Sequence, residues 1–360
     1  MAASIPKTMQ AWRYRFENTE PHLAEAPVPV PAADGLLVKV LAMGVCHSDC
    51  TLLGMNEPIL GMRPEFTMGH EACGEIVQLG SDVDKSAFAI GDKIVMLIIP
   101  GCGKQTCPDC SRGFTTICRS PDSGNYGLGI SDGFFAEYVT VAQRAAVKVP
   151  EGLDLASAAV SADAVLTAYQ AIKDTGNPQP DHTIAIFGLG GVGLNGLQTA
   201  LHMGVKNLLV ADKRQASLDE AIKLGVPKSH TFLVGEGTPI EQYVAEQQLQ
   251  VDMAFDFAGH EQTFQAAQMV VRNAGTIVLV GLFSPTVPLI PLVSVLKAVT
   301  IKCHYNGDIK GLRECLELVG KGVLKPVVET GSIRDLPRVL KDLDEGRVRN
   351  RMVLLPDWKE

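Results

Sequence analysis

Residues 183–204 read TIAIFGLGGVGLNGLQTALHMG. The apolar run 183–187 has strand length, and the apolar spacing over 194–203 suits a helix. Between them Gly188, Gly190 and Gly193 stand in a G-x-G-x-x-G arrangement, in the strand–turn–helix setting that motif requires. Gly188 permits the tight turn, Gly190 lets a pyrophosphate approach the backbone, and Gly193 lets helix and strand pack closely. The helix N-terminus then favours the anion. Gly191 and Val192 complete the turn. Asp212 ends the next apolar segment, NLLVADKRQ. A carboxylate there can accept both adenosine-ribose hydroxyls and repels a 2′-phosphate, so the pattern points to NAD over NADP. Lys213 and Arg214 beside it are cations of the kind that accommodate a phosphate.

Outward from this turn the same alternation repeats. Strands are predicted at 183–187, 207–211, 251–255, 276–280 and 299–303, with helices at 194–203 and 217–223 among them. Such alternation builds right-handed βαβ units on a parallel sheet. Residues up to about 150 differ: short apolar segments such as LLVKVLAMGV (36–45) and KIVMLIIP (93–100) are broken by Gly, Pro and Asp, the texture of an irregular β-rich domain. The segment 183–205 lacks Asp, Glu, Lys and Arg, yet its six glycines with Asn195, Gln198 and Thr199 suit a buried strand, turn and helix better than a bilayer span. A net charge of −8 gives no basic face for nucleic acid. The opening MAASIPKTMQAWRYRF has no signal-peptide core, and nine cysteines then read as metal ligands and free thiols in the cytoplasm.

Four of those cysteines crowd into GCGKQTCPDCSRGFTTIC (101–118). Cys102, Cys107, Cys110 and Cys118 are spaced C-x4-C-x2-C-x7-C, suited to a closed tetrahedral zinc of structural type. Lys104, Arg112 and Arg119 are placed to offset its negative charge. A second set lies in GVCHSDC (44–50) and MGHEACGEIVQLG (68–80). Cys46 and His70 are suitable zinc ligands, but two ligands do not make a site. Cys50, Cys73 and Cys315 read as packed thiols.

At this point the chain resembles the zinc-dependent medium-chain alcohol dehydrogenases. The resemblance rests on Gly69-His70-Glu71 with Gly74, Gly80 and Val83, then the four-cysteine lobe, then the dinucleotide turn, in that order. It implies an α/β fold: a GroES-like β-rich catalytic domain over 1–163, completed by 302–360, interrupted by a Rossmann NAD-binding domain over 164–301. It implies two zinc ions per subunit. Cys46 and His70 match the first two ligands of a catalytic zinc. Asp163, four residues before Thr167 of Thr167-Ala-Tyr169, matches the third; a helix N-cap before 165–173 is its alternative role. Asp49 matches an acid that orients a ligand, and Glu71 an acid close behind the metal. Ser48 would take the alcohol proton as zinc acts on the oxygen and hydride passes to the nicotinamide. His47 and Arg351 match residues near the cofactor pyrophosphate, though His47 also suits a solvated neighbour of the metal.

Three positions depart from the family pattern. Thr51 stands where a relay histidine is common, so the relay must end at the cofactor ribose, at water or at His47. The cysteine lobe has two extra residues between its first and second Cys, and Cys303-His304 replaces a common glycine. The implied substrate is a primary or secondary alcohol with its aldehyde or ketone, against an apolar wall that includes Ile98. The short segment 118–133 is similar to that of tetrameric members, so a homotetramer or homodimer is expected. Two other classes stay open: a zinc-free reductase of activated double bonds, and a protein that binds NAD without turnover.

Overall fold

The computed structural model describes residues 5–358 apart from Thr19, Asn56, Leu60 and Glu236. The chain divides into two compact units. One holds Met1–Asp163, Gly307–Gly322 and Val327–Glu360, the other Ala164–Asn306 with Val323–Pro326. The second division falls at 306/307, not after 301. The reason is that Thr300–Cys303 is a strand, paired in parallel with Val271–Leu279. Residues 323–326 also join the second unit, because buried Gln198 accepts from Lys325 N (2.7 Å) and donates to its carbonyl (3.1 Å).

The first unit is built on a seven-stranded sheet. Its order is Val328–Ser332, Arg351–Leu355, Gly35–Val45, Glu71–Leu79, Lys93–Met96 and Ala146–Lys148, with Tyr138–Ala142 also paired to Gly35–Val45. The segment LLVKVLAMGV is nearly all apolar because most of strand Gly35–Val45 is buried on both faces. A three-stranded sheet, His22–Pro27, Thr8–Arg15 and Glu65–Thr67, adds Tyr14, Phe16 and Phe66 to the core, with the Tyr14 ring edge-on to Phe16 at 5.4 Å and to Phe66 at 5.9 Å. Fully burying one such aromatic contributes about 1.5–3 kcal/mol. Helix Leu336–Asp344 closes this core with Leu336, Val339, Leu340 and Leu343, one face at helical spacing.

The second unit is a six-stranded, all-parallel sheet ordered Thr231–Leu233, Asn207–Asp212, Thr183–Phe187, Val251–Asp256, Val271–Leu279, Thr300–Cys303. Counted in chain order this is 3-2-1-4-5-6, the doubly wound arrangement of dinucleotide-binding sheets. The winding reverses between Thr183–Phe187 and Val251–Asp256, where ligands bind in such sheets. The predicted strand and helix at 183–187 and 194–203 appear as Thr183–Phe187 and Gly193–His202, so the uncharged stretch is sheet and helix.

A helical run spans Leu155–Gly176. Asp154 caps it, accepting from Ser157 N at 2.8 Å. This run is long and apolar enough to cross a bilayer, but 67% of its most apolar window is buried inside the protein. Asp163 lies within the run, in a π-helical turn Ser161–Val165, and so is no N-cap. Wide turns of this kind recur at functional sites, because the inserted residue re-aims its side chain.

Candidate active site

The first metal-competent cluster gathers Cys46, His70, Glu71 and Asp163, with ligand atoms all within 4.8 Å of one another. Cys46 caps the short helix His47–Leu53, and His70 sits just before strand Glu71–Leu79. Cys46 Sγ stands 3.4 Å from Asp163 Oδ2, and His70 Nε2 stands 3.9 Å from the same oxygen. Sulfur and oxygen sharing a tetrahedral zinc are about 3.5 Å apart. Asp49, fully buried, ties two of these residues together. Its Oδ2 accepts from Cys46 N at 3.0 Å, and its Oδ1 lies 3.2 Å from His70 Nδ1. That contact turns Nε2 toward Cys46 and Asp163, the arrangement second carboxylates give to metal-binding imidazoles. Burial works against a charged His70 ring, but Asp49 and Cys46 outweigh it and raise its pKa well above the usual value. A zinc ion would compete for the same Nε2. A thiolate and a carboxylate would neutralise Zn²⁺, so the donor set fits the ion.

Ser48 is half-buried with Oγ 3.6 Å from Cys46 Sγ, beside the cluster. His47 is exposed at the start of its helix. Thr51 Oγ1 donates to His47 O at 3.1 Å, so its hydroxyl serves the helix backbone. The buried guanidinium of Arg351 bonds Glu71 and Asp163 Oδ2 (2.6 Å), which ties the residue that the resemblance gives to the pyrophosphate to the metal-competent cluster as well. Two carboxylates drawn out of water at one spot need a cation. Burial pushes the Glu71 carboxyl up, and Arg351 pulls it back.

The four-cysteine lobe forms the second cluster. Cys102 and Cys110 sulfurs are 3.7 Å apart, as are those of Cys107 and Cys118. Sulfurs around one tetrahedral zinc are separated by about 3.8 Å, against about 2.05 Å in a disulfide. The extra residues 103–106 are taken up in a turn that Cys107 N closes on Lys104 O. The backbone N–H of Lys104 is the main cause that pulls the Cys102 thiol down to about 7, which favours the thiolate. The expected charge compensation is weaker than the spacing suggests. Lys104 pairs with Asp122 at 2.6 Å, and Arg112 lies over the Phe114 ring. Cys50 and Cys73 donate to the carbonyls of Leu340 and Leu155, and burial pushes both thiols up to about 12.

In the parallel unit, Gly188 adopts φ 84°, open to glycine, and a Cβ on Gly193 would collide with Gly188 O. Over Gly190 there is room: a Cβ there meets nothing nearer than Arg214 Nη2 at 3.9 Å. Asp212, buried at its strand end, accepts from Leu189 N at 2.7 Å and from Arg214 N at 2.8 Å. It therefore clamps the turn. Lys213 is exposed. Asn195 donates to Gly191 O at 2.7 Å and fixes that carbonyl. Asp256 ends the fourth strand and accepts from Ala258 N, Gly259 N and Thr263 Oγ1; burial pushes it up to about 6. Asn195 and Asp256 escape a motif reading, their only signal being a polar residue in an apolar run.

Residues 32–151 match the alcohol dehydrogenase GroES-like domain, and residues 191–321 match the zinc-binding dehydrogenase domain. Alcohol dehydrogenase 1 of Emericella nidulans is 32% identical over 360 residues, covering 98% of this chain and 99% of its own. The chain belongs to the zinc-dependent medium-chain alcohol dehydrogenases. An alcohol dehydrogenase of Geobacillus stearothermophilus is 30% identical over 89% of the enzyme and 91% of its own length. Among solved structures, acetophenone reductase from Geotrichum candidum in complex with NAD superposes with a TM-score of 0.87 at 28% identity, covering 98% of each chain. The enzyme is thus a zinc-dependent oxidoreductase of alcohols and carbonyls, with the GroES-like and Rossmann-type architecture of its family.

Proposed function

We propose that the enzyme moves hydride between NAD(H) and a primary or secondary alcohol and its aldehyde or ketone, with aryl ketones the first substrates to try. The observation that carries this is the buried meeting of Cys46, His70 and Asp163 beside Ser48. The neighbouring acetophenone reductase supports the ketone side. When bound, zinc supplies Lewis acidity at the substrate oxygen and NAD the hydride acceptor. Cys46, His70 and Asp163 hold the metal, Asp49 holds the His70 ring, and Ser48 Oγ takes the substrate proton. The turn 188–193 and Asp212 hold the dinucleotide. NADH consumption with acetophenone and a series of aldehydes and ketones tests the reading. A zinc-replete enzyme that turns over none of these substrates, nor any alcohol with NAD, sinks it.

Asp212→Ala should raise the KM for NAD roughly 10- to 100-fold, the worth of hydrogen bonds to a charged acceptor, and relax the rejection of NADP. An unchanged NAD/NADP preference would refute that role for Asp212. None of the nine cysteines is paired in a disulfide, in keeping with metal ligands and reduced thiols, and we place the enzyme in a reducing compartment.

We infer that the subunit associates with copies of itself through its parallel sheet. Strand Thr300–Cys303 lies at the sheet edge with all four residues exposed. Beside it in sequence, Leu292, Val295 and Leu296 of helix Pro291–Leu296 are 73%, 74% and 76% exposed. An exposed strand edge with apolar side chains close by in sequence is suited to pairing with its own copy about a twofold axis. Leu296→Asp should lower the sedimentation coefficient to that of a monomer. A monomeric parent removes the proposal.

A further inference from the structure

A sheet ordered 3-2-1-4-5-6 is two mononucleotide-binding halves, and a dinucleotide spans the crevice where they meet. Asp212 ends a strand of the first half, the side of the adenosine. The nicotinamide mononucleotide is left to the second half, over the ends of Val251–Asp256 and Val271–Leu279. Asp256 stands at the first of those ends, fully buried and so out of a ligand's reach. Its carboxylate nevertheless gathers the loop that follows. Oδ1 accepts from Ala258 N at 3.0 Å and from Gly259 N at 2.9 Å, and Thr263 Oγ1 lies 3.0 and 2.9 Å from the two oxygens. We propose that Asp256 is a positioning residue for the nicotinamide half of the cofactor: it holds loop 257–259, and through it loop 280–284, as Asp212 holds the phosphate-binding turn of the adenosine half. This rests on the reading of turn 188–193 and Asp212 as the dinucleotide site.

The two loops of this half meet backbone to backbone. Gly259 has φ 65°, and a Cβ on it would collide with Gly281 O. A Cβ on Gly281 would collide in turn with Gly259 N. The Asp256 carbonyl accepts from Val280 N at 3.0 Å and Gly281 N at 2.9 Å, and Gly259 O accepts from Ser284 N at 2.9 Å. Close-packed backbone passes a displacement on directly, with no flexible side chain to absorb it. Toward the adenosine half the loop is anchored by other means. Phe257 N donates to Phe187 O at 2.9 Å, and the Phe257 ring packs so tightly on helix Gly193–His202 that a Cβ on Gly196 would stand 2.6 Å from it. The freedom left for the carboxylate to remove therefore lies at residues 258–259, on the nicotinamide side. Hydrogen bonds to an ionised acceptor are roughly twice as strong as neutral ones, which suits Asp256 to that task.

The test compares two ligands by titration calorimetry: NADH, which uses both halves, and AMP, which uses only the first. Asp256→Ala should weaken NADH roughly tenfold or more and leave AMP within about twofold of the parent. Asp256→Asn should return NADH to within about threefold, because the amide oxygen still accepts from Ala258 and Gly259 and the amide nitrogen can donate to Thr263 Oγ1. Parental NADH affinity in Asp256→Ala overturns the proposal. Equal weakening of NADH and AMP overturns it too, since that marks damage to the whole unit. So does an Asp256→Asn variant that recovers nothing. If Asp256→Ala does not fold, Thr263→Val strips the carboxylate of its side-chain donor, and the same split between the two ligands decides. Asp212→Ala should instead weaken AMP and NADH together; AMP binding unaltered there would defeat the reading of the Asp212 half beneath the proposal.

Discussion

Asp163→Ala is expected to lower bound zinc from about two to about one per subunit and to cut kcat/KM roughly 10³-fold or more. Cys46 and His70 remain, but two ligands hold zinc poorly, and losing Lewis acidity removes several kcal/mol from the reaction. The fold should persist. Asp163 sits inside the helical run Leu155–Gly176, where alanine has the better propensity, and Arg351 still has Glu71 as its partner. Metal analysis beside far-UV circular dichroism decides the matter. Two zincs with parental turnover would remove Asp163 from the metal.

Cys110→Ser should remove the other zinc and act on stability. Residues 101–118 form little regular structure, two short 3₁₀ turns at Cys110–Arg112 and Thr115–Ile117, and leave Phe114 49% and Ile117 53% exposed. A loop with so little core is held by its metal, and structural zinc contributes folding energy outright. Loss of several kcal/mol should lower Tm by roughly 10 °C or more. A parental Tm and zinc content would show that the lobe folds without its fourth thiolate. The two variants should lose different ions, so the double variant should hold none.

The parallel unit was legible because its central strands, Thr183–Phe187 and Asn207–Asp212, are buried on both faces and read as unbroken apolar runs, bounded by turn residues. Strand Thr183–Phe187 is bounded as the sequence suggests. The cysteine lobe was legible from spacing alone. Asp163 was not: it lies in SADAVLTAY, an otherwise apolar helix, and only resemblance singles it out. The π-helical turn that aims it leaves no mark in composition or period. Gly44 looks like any strand glycine, yet it faces Glu71 on the neighbouring strand, where a Cβ would collide with the Glu71 carboxylate. The partners of Arg351 were hidden by distance, since nothing local to NRMVL announces two carboxylates elsewhere in the chain.

That separation has a consequence during synthesis. Arg351 follows Glu71 by 280 positions, and its strand must enter the sheet between Gly35–Val45 and Val328–Ser332. A ribosome exposes Cys46, His70, Glu71 and Asp163 long before it makes the arginine. Until then the carboxylates of Glu71 and Asp163 stand together without their cation and repel one another. Arrival of the final strand supplies the guanidinium that bonds both. Closure of this corner of the site is thus timed by completion of the polypeptide.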